Sequence, residues 1–343
     1  MQTAPPSVPA DGVPEKAPTP ARAQGPSALR SLWHVMRANP LTFAGFALVI
    51  LICGTAVLVE IVPPLTHLLL GHSLSVVPYA LTPGVPPYNS PPTLAHPFGT
   101  DPLGLDMLSL VMTALPLDLA VGLSITAVAL GIGTLLGLYA GYWDEPRTLG
   151  GAIATVILRV TDIFLAFPSL LLALAIAVTL GRGIAPTFIA ITITWWPYYV
   201  RVVRGEVLSI KHQPYVMAAR AAGVTNVRIL GRHILRNILE PLVVYYTLDV
   251  GTVIVTFSTI SFIGIALPPT TPEWGSMISQ YQACCLPGDW WTVAAPGVAI
   301  FVTVLAFSLL GDGLRDFLDP RSRKALAGAQ ASPGTVPAGG SDT

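Results

Sequence analysis

Residues 116–140 read PLDLAVGLSITAVALGIGTLLGLYA, an overwhelmingly apolar run. A hydrocarbon layer about 30 Å thick is crossed by roughly 20 residues of helix, so this stretch is long enough to traverse one. Working outward, runs of comparable length and character fall at 41–62, 152–179, 184–203, 240–266 and 292–312. The run at 152–179 is longer than a span needs and contains Pro168, which predicts a tilt or kink there. Of the 343 residues, 52% are hydrophobic and only 10% charged, against roughly a quarter charged in soluble domains. The mean hydropathy of +0.66 agrees. The expectation is an all-α polytopic membrane protein with about six transmembrane helices.

The formal net charge is zero, yet the basic residues are distributed unevenly. Lys16, Arg22, Arg30 and Arg37 precede the first run, and Arg147 and Arg159 lie in or just after the second loop. Arg201, Arg204, Lys211, Arg220, Arg228, Arg232 and Arg236 crowd the fourth loop, while Arg315, Arg321, Arg323 and Lys324 follow the last run. Basic residues of short loops are retained on the cytoplasmic side. Six spans with both termini inside place every Lys and Arg except Arg182 in the cytoplasm. The loop 63–113 carries no Lys or Arg and is rich in proline (Pro63, Pro64, Pro78, Pro83, Pro86, Pro87, Pro91, Pro92), so no packed sheet or long helix is expected in it.

Three segments organise the chain: a disordered tail 1–30, rich in Pro and Ala, a membrane domain 31–324, and a second disordered tail 325–343. The first apolar run starts too late and is too long for a signal peptide. The cysteines are Cys53 and the adjacent pair Cys284 and Cys285, read as inert or free thiols, with no disulfide framework or CxxC metal site.

The loop 204–239 carries the strongest pattern, reading as two short helices joined at a glycine. Pro214 suits a first helical turn, and Tyr215, Ala218, Ala219 and Ala222 then give one face of small side chains. Gly223 supplies the left-handed backbone that ends the helix, and Thr225 is placed to cap the next. In that second helix Val227, Leu230, Ile234 and Ile238 line one side, with Arg228, Arg232 and Arg236 opposite at four-residue spacing. A small-residue face admits close approach of another backbone, and arginines offer charged hydrogen bonds to carboxylates. The pattern alone also suits an amphipathic helix on anionic lipid.

YVMAARAAGVTNVRILGRHILRN, residues 215–237, resembles the EAA loop of importers of the ATP-binding-cassette class, in the version carried by the dipeptide, oligopeptide and nickel permeases. HPFGTDPLGLD (96–106), LRVTDIFLAFPSLLLAL (158–174), RVVRGEVLSI (201–210), ISFIGIALPPTTPEWGSM (260–277) and LLGDGLRDFLDPR (309–321) continue the resemblance in order over 30–324. It implies a type I importer permease fold and the C-type subunit, a binding-protein-dependent transport system inner membrane component. In that family the loop forms coupling helices that seat on the nucleotide-binding subunit. Carried over, Tyr215, Ala218, Ala219, Arg220 and Gly223, flanked by Arg228, Arg232 and His233, form the docking surface. The resemblance implies a multi-pass protein of the inner, cytoplasmic membrane. Its partners would be a second permease in a heterodimeric pore, two ATPase subunits or domains, and an extracellular or periplasmic substrate-binding protein. Cargoes in the family are di- and oligopeptides, nickel chelates, opines and oligosaccharides. Met217 stands where the family pattern is often charged, Arg236 where proline is usual, Leu105 and Leu110 where arginines are usual, and Phe257 where an acid is frequent.

Two carboxylates are singled out within the runs. Asp162 has Arg159 three residues earlier on the same helical face, which predicts a structural ion pair. Asp249 has no basic residue within a turn and is the candidate for lining the substrate path, a hydroxyl such as that of Tyr245 being its other expected partner. Trp195, Trp196, Tyr198 and Tyr199 suit an interfacial belt. No GxxxxGK[ST] phosphate loop, HExxH or GxSxG occurs, and the histidines 34, 67, 72, 96, 212 and 233 are dispersed. The expectation is a non-catalytic chain without cofactor or nucleic-acid partner, with ATP and Mg bound by the ATPase subunits. An ion-coupled secondary transporter or channel is the competing class; against it stand the few intramembrane acids, the absence of an evident inverted repeat and the otherwise purposeless basic hairpin.

Overall fold

The computed structural model describes residues 40–70, 88–145, 147–267, 271–284 and 288–318. The tails 1–30 and 325–343 lie outside the described residues. So do Lys16, Arg22, Arg30, Arg37, Arg321, Arg323, Lys324, Pro78, Pro83, Pro86, Pro87, His34, His72 and Cys285. The helices are α1 Pro40–Leu70, α2 Met107–Tyr142, α3 Leu149–Leu165, α4 Ser169–Leu180, α5 Ile184–Ile210 and α6 Pro214–Ala221. After them come α7 Asn226–Phe262, α8 Trp274–Cys284 and α9 Trp291–Leu318. No strand occurs among the described residues beyond an isolated bridge between Thr100 and Asp106.

Local chemistry sets the helix starts. The Asp106 carboxylate accepts from the Ser109 amide at 2.8 Å and begins α2, and the Thr148 hydroxyl accepts from the Gly151 amide at 3.0 Å to begin α3. Each satisfies a first-turn donor that has no partner within the helix. Four helices, α1, α2, α7 and α9, are long and apolar enough to cross a membrane, and a fifth crossing exists if α3 and α4 form one span. That pair bends by 91°, far more than the kink expected at Pro168, because proline bars the helical conformation from the residue before it. The run at 184–203 forms the 27-residue α5, but Trp195, Trp196, Pro197, Tyr198, Tyr199 and Arg201 dilute its apolar character below that of the four.

Two limits drawn from the outer loop also move. Pro63 and Pro64 lie inside α1 rather than ending it, a placement that membrane helices tolerate. At the other side α2 starts at Met107, a full turn and more before residue 113.

The α2–α5 pair is the most extensive helix contact, and glycine makes it possible. Gly133, Gly137 and Gly141 recur every four residues along one face of α2. A Cβ at Gly133 would stand 2.3 Å from Tyr199 Cβ, one at Gly137 2.7 Å from Val203 Cβ, and one at Gly141 2.7 Å from Val207 Cβ. Side chains of α5 thus sit directly on the α2 backbone, the small-xxx-small packing of membrane helices. Leu138, Tyr142, Val203, Val207, Val216, Ile229, Ile234, Ile238 and Leu242 form an apolar cluster at one end of this pair. A second cluster, including Met107, Trp274, Tyr281 and Trp291, fills the opposite end.

Candidate functional site

The hairpin between α5 and α7 is seated on the end of α2. In α6 Pro214 occupies the first turn and Val216 is fully buried. Gly223 has φ +78°, the left-handed region that glycine enters without strain. Its amide donates to the Arg220 carbonyl at 3.0 Å and that of Val224 to Ala219 at 3.1 Å, closing the helix end. Thr225 stands at the start of α7, but its side chain makes no capping bond.

Beyond it the structure departs from two separate helices. Asn226–Arg228 is one α-turn, Ile229–Leu235 is π-helical, and Arg236 runs without a break into the membrane helix. A π-turn bonds residue i to i+5 and so holds more residues per turn than an α-helix. Ile229 and Ile234, five apart, are therefore the buried pair, whereas Val227, expected inside, is 78% exposed. Leu230 is half-buried, Ile238 is buried, and Arg228, Arg232 and Arg236 are all exposed, with His233 half-buried.

Polar contacts complete the seat. The Tyr142 hydroxyl donates to Asn226 Oδ1 at 2.6 Å, and the Arg220 guanidinium carbon lies 5.4 Å from the Tyr142 ring centre, a cation–π distance. Asn237 Nδ2 donates to the Tyr215 hydroxyl at 3.2 Å and also to the His233 carbonyl. Below the hairpin Asp144 receives Arg204 at 3.0 Å and Lys211 at 3.7 Å, and Lys211 also donates to the Gly141 carbonyl at 3.2 Å. What the hairpin presents outward is Tyr215, Met217, Ala218, Ala222 and Gly223, with Ala219 half-buried beside them.

Asp162 is 3.9 Å from Arg159 and, much closer, 2.7 Å from Arg201 of α5. The principal pair thus joins two helices instead of lying along one. The neighbour of Asp249 is Tyr199 of α5 rather than Tyr245. The Tyr199 hydroxyl faces its carboxylate, yet neither that hydroxyl nor Asp249 Oδ2 closes a hydrogen bond among the described residues. Tyr199 itself is fully buried against Gly133, and Trp196 packs edge-on against Phe164 at 5.6 Å. Within the cluster Tyr199 is thus a packing residue, while Tyr198 is exposed and Trp195 and Trp196 are half-buried.

Sequence reasoning passed over a group of carboxylates at the opposite end. Asp101, fully buried, accepts from the Leu103 and Leu105 amides at 2.9 and 2.6 Å and from the Tyr281 hydroxyl at 2.9 Å. Asp106 also receives His96 Nδ1 at 3.0 Å, and the Trp291 indole donates to the Thr100 carbonyl at 3.1 Å. Glu273 accepts from Gly275 and Ser276 at 2.8 Å each, and Asp118 from Trp274 at 3.1 Å, so both hold the start of α8. The signal for Asp118 was present: a lone acid inside the run 116–140.

Residues 133–324 match the family model described as binding-protein-dependent transport system inner membrane component. The chain is 38% identical over 232 residues to the probable D,D-dipeptide transport system permease protein DdpC of Escherichia coli K12, covering 68% of this chain and 76% of that one. It is 42% identical over 237 residues to the glutathione transport system permease protein GsiD of Escherichia coli O6:K15:H31, covering 68% and 75%. Among solved structures, a chain of the MetNI methionine ABC transporter in an inward-facing conformation overlaps 61% of this chain and 98% of its own length, at 21% identity and a TM-score of 0.47. With several membrane-length helices and a family model running from the end of α2 through α9, this chain belongs to the binding-protein-dependent transport system inner membrane components, the permease subunits of ATP-binding-cassette importers.

Proposed function

We propose that this chain forms half of the translocation pore of an importer of small peptides and takes its driving force from a separate ATPase docked on the 204–239 hairpin. The observation that carries this reading is the construction of the hairpin. Buried Val216, Ile229 and Ile234 tie it to α2 and α5, while a small, apolar patch around Ala218, Ala219 and Gly223 faces outward. Such a patch rimmed by arginines is a surface for a partner carrying carboxylates. Because α7 continues without a break from the hairpin through Arg236 to Phe262, a push on the hairpin is delivered along the 27-residue stretch Arg236–Phe262.

The partners are a second permease subunit, two ATPase subunits or domains that bind the ATP and Mg, and an external substrate-binding protein; this chain itself holds no cofactor and performs no catalysis. Both termini and the hairpin lie in the cytoplasm, the side that retains basic residues. Peptide cargo is supported by the relatives named for D,D-dipeptide and glutathione transport. Uptake into reconstituted vesicles is expected to require ATP and a co-purifying ATPase. Transport by the purified chain alone, driven by an ion gradient, would refute the reading.

A further inference from the structure

The end of α2 is gripped by polar groups of the hairpin. α2 stops at Tyr142, so the Gly141 carbonyl lies in its last turn, where no helical amide remains to donate to it. Lys211, the residue that closes α5 and leads into the hairpin, donates its ammonium to that carbonyl at 3.2 Å and lies 3.7 Å from Asp144 in the loop just beyond. Its side chain is only 11% exposed, so the charge is held between these two partners rather than left in water. Arg204, seven residues earlier on α5, takes the other oxygen of Asp144 at 3.0 Å. Across the hairpin, Arg220 of α6 and Asn226 at the start of α7 both meet Tyr142.

We propose that Lys211 is the positioning residue that hands movement of the hairpin to α2, giving a docked ATPase a second route into the membrane beside α7. The proposal rests on the permease reading and deepens it. The apolar seat under the hairpin has no direction of its own. A charged hydrogen bond does, because it weakens steeply when its angle or distance changes. Lys211 carries the link rather than Arg204, since Lys211 bonds the backbone of α2 itself, whereas Arg204 reaches only the loop after it.

α2 is also the helix through which such a movement would cross the bundle. A Cβ at Gly141 would stand 2.7 Å from Val207 Cβ, so Lys211 sits one turn beyond the last close contact of the α2–α5 pair and locks its end. At the opposite end α2 carries Asp118, whose carboxylate accepts from the Trp274 amide at 3.1 Å and holds the start of α8. One helix is thus fastened by Lys211 to the hairpin and by Asp118 to the outer frame.

The test uses the complete transporter in vesicles, reading ATP hydrolysed per alanyl-alanine imported and, separately, capture of the ATPase by the tagged chain. Lys211→Met keeps the length of the side chain and leaves Asp144 paired with Arg204, so no buried charge is stranded. It is expected to leave capture unchanged and to raise ATP hydrolysed per peptide at least about fivefold, the low end of a coupling between two sites. Lys211→Arg, which keeps the charge and the donors, is expected to hold the wild-type ratio. If Lys211→Met does not insert, Lys211→Gln, shorter and uncharged, is expected to shift the ratio in the same direction. A wild-type ratio in the uncharged variant, or capture that falls in step with import, would overturn the proposal. The link is also read without transport, in the full-length chain in nanodiscs with spin labels at the exposed positions Leu135 of α2 and Val227 of α7. Lys211→Met is expected to broaden their distance distribution and Lys211→Arg to leave it narrow; a distribution that Lys211→Met does not change would overturn the proposal. A wild-type transporter that imports nothing with ATP would strike the permease reading, and the spin labels would still decide the link.

Discussion

The two ends of the helix bundle are built from opposite materials. At the His96 end, buried carboxylates hold backbone amides: Asp101, Asp106, Asp118 and Glu273 together fasten the segment before α2 and the start of α8. At the Gly223 end, an apolar cluster does most of the fastening, joined by a few polar contacts such as Tyr142 to Asn226 and Asp144 to Arg204 and Lys211, while Arg228, Arg232 and Arg236 are exposed. A carboxylate accepting several enclosed amides permits little displacement, because any shift strands a buried charge. An apolar seat tolerates sliding, since its attraction has no direction. On the proposed function the first end is the fixed frame and the second the mount that an ATPase would move.

Breaking the frame should therefore do the most damage. Asp101→Ala removes the acceptor of two amides and a tyrosine hydroxyl. Stranding these three donors is expected to cost at least about 3 kcal/mol, read as a fall in the unfolding midpoint in detergent; a midpoint within a degree of wild type would dissolve the contrast between the ends. Next, Gly137→Leu forces side-chain atoms into Val203. A loss of about 1–3 kcal/mol is expected from overpacking, with the α2–α5 separation, measured by paired spin labels, increasing. An unchanged spacing would show that glycine is not what sets this contact. Smaller still, Arg201→Gln deletes a pair whose side chains are roughly half exposed, worth about 0–1 kcal/mol. A large loss there would mean that the bent α3–α4 element depends on that link.

Much of the bundle is legible in the sequence because membrane helices declare themselves by length and apolar content, and α1, α2, α7 and α9 fall on runs that do so. The limits were less legible. Pro63 and Pro64 look like a stop but lie within α1, a placement that helices in a membrane tolerate. The hairpin's glycine break at Gly223 follows from backbone sterics, which are local. The buried face of α7 does not, because the π-turn at Ile229–Leu235 widens the turn and rotates the following residues, and no residue type announces that change. Asp162 shows the same limit in another form: Arg159 is its neighbour in sequence, whereas Arg201, its nearer partner, is brought by a different helix. At the opposite end Asp101 lies in a stretch whose resemblance was evident, but its partner Tyr281 is 180 residues away.

The claim that the Gly223 end is the moving mount for an ATPase is tested most directly at Ala219, half-buried on the presented face. Ala219→Glu places a bulky negative charge where the account puts a close backbone approach. Co-purification of the ATPase subunit with the tagged chain, quantified beside membrane insertion and unfolding midpoint, is the measurement. The account predicts at least a tenfold drop in captured ATPase, equivalent to about 1.4 kcal/mol, with insertion and midpoint unchanged. Full capture of the ATPase by an Ala219→Glu chain that inserts normally would contradict it.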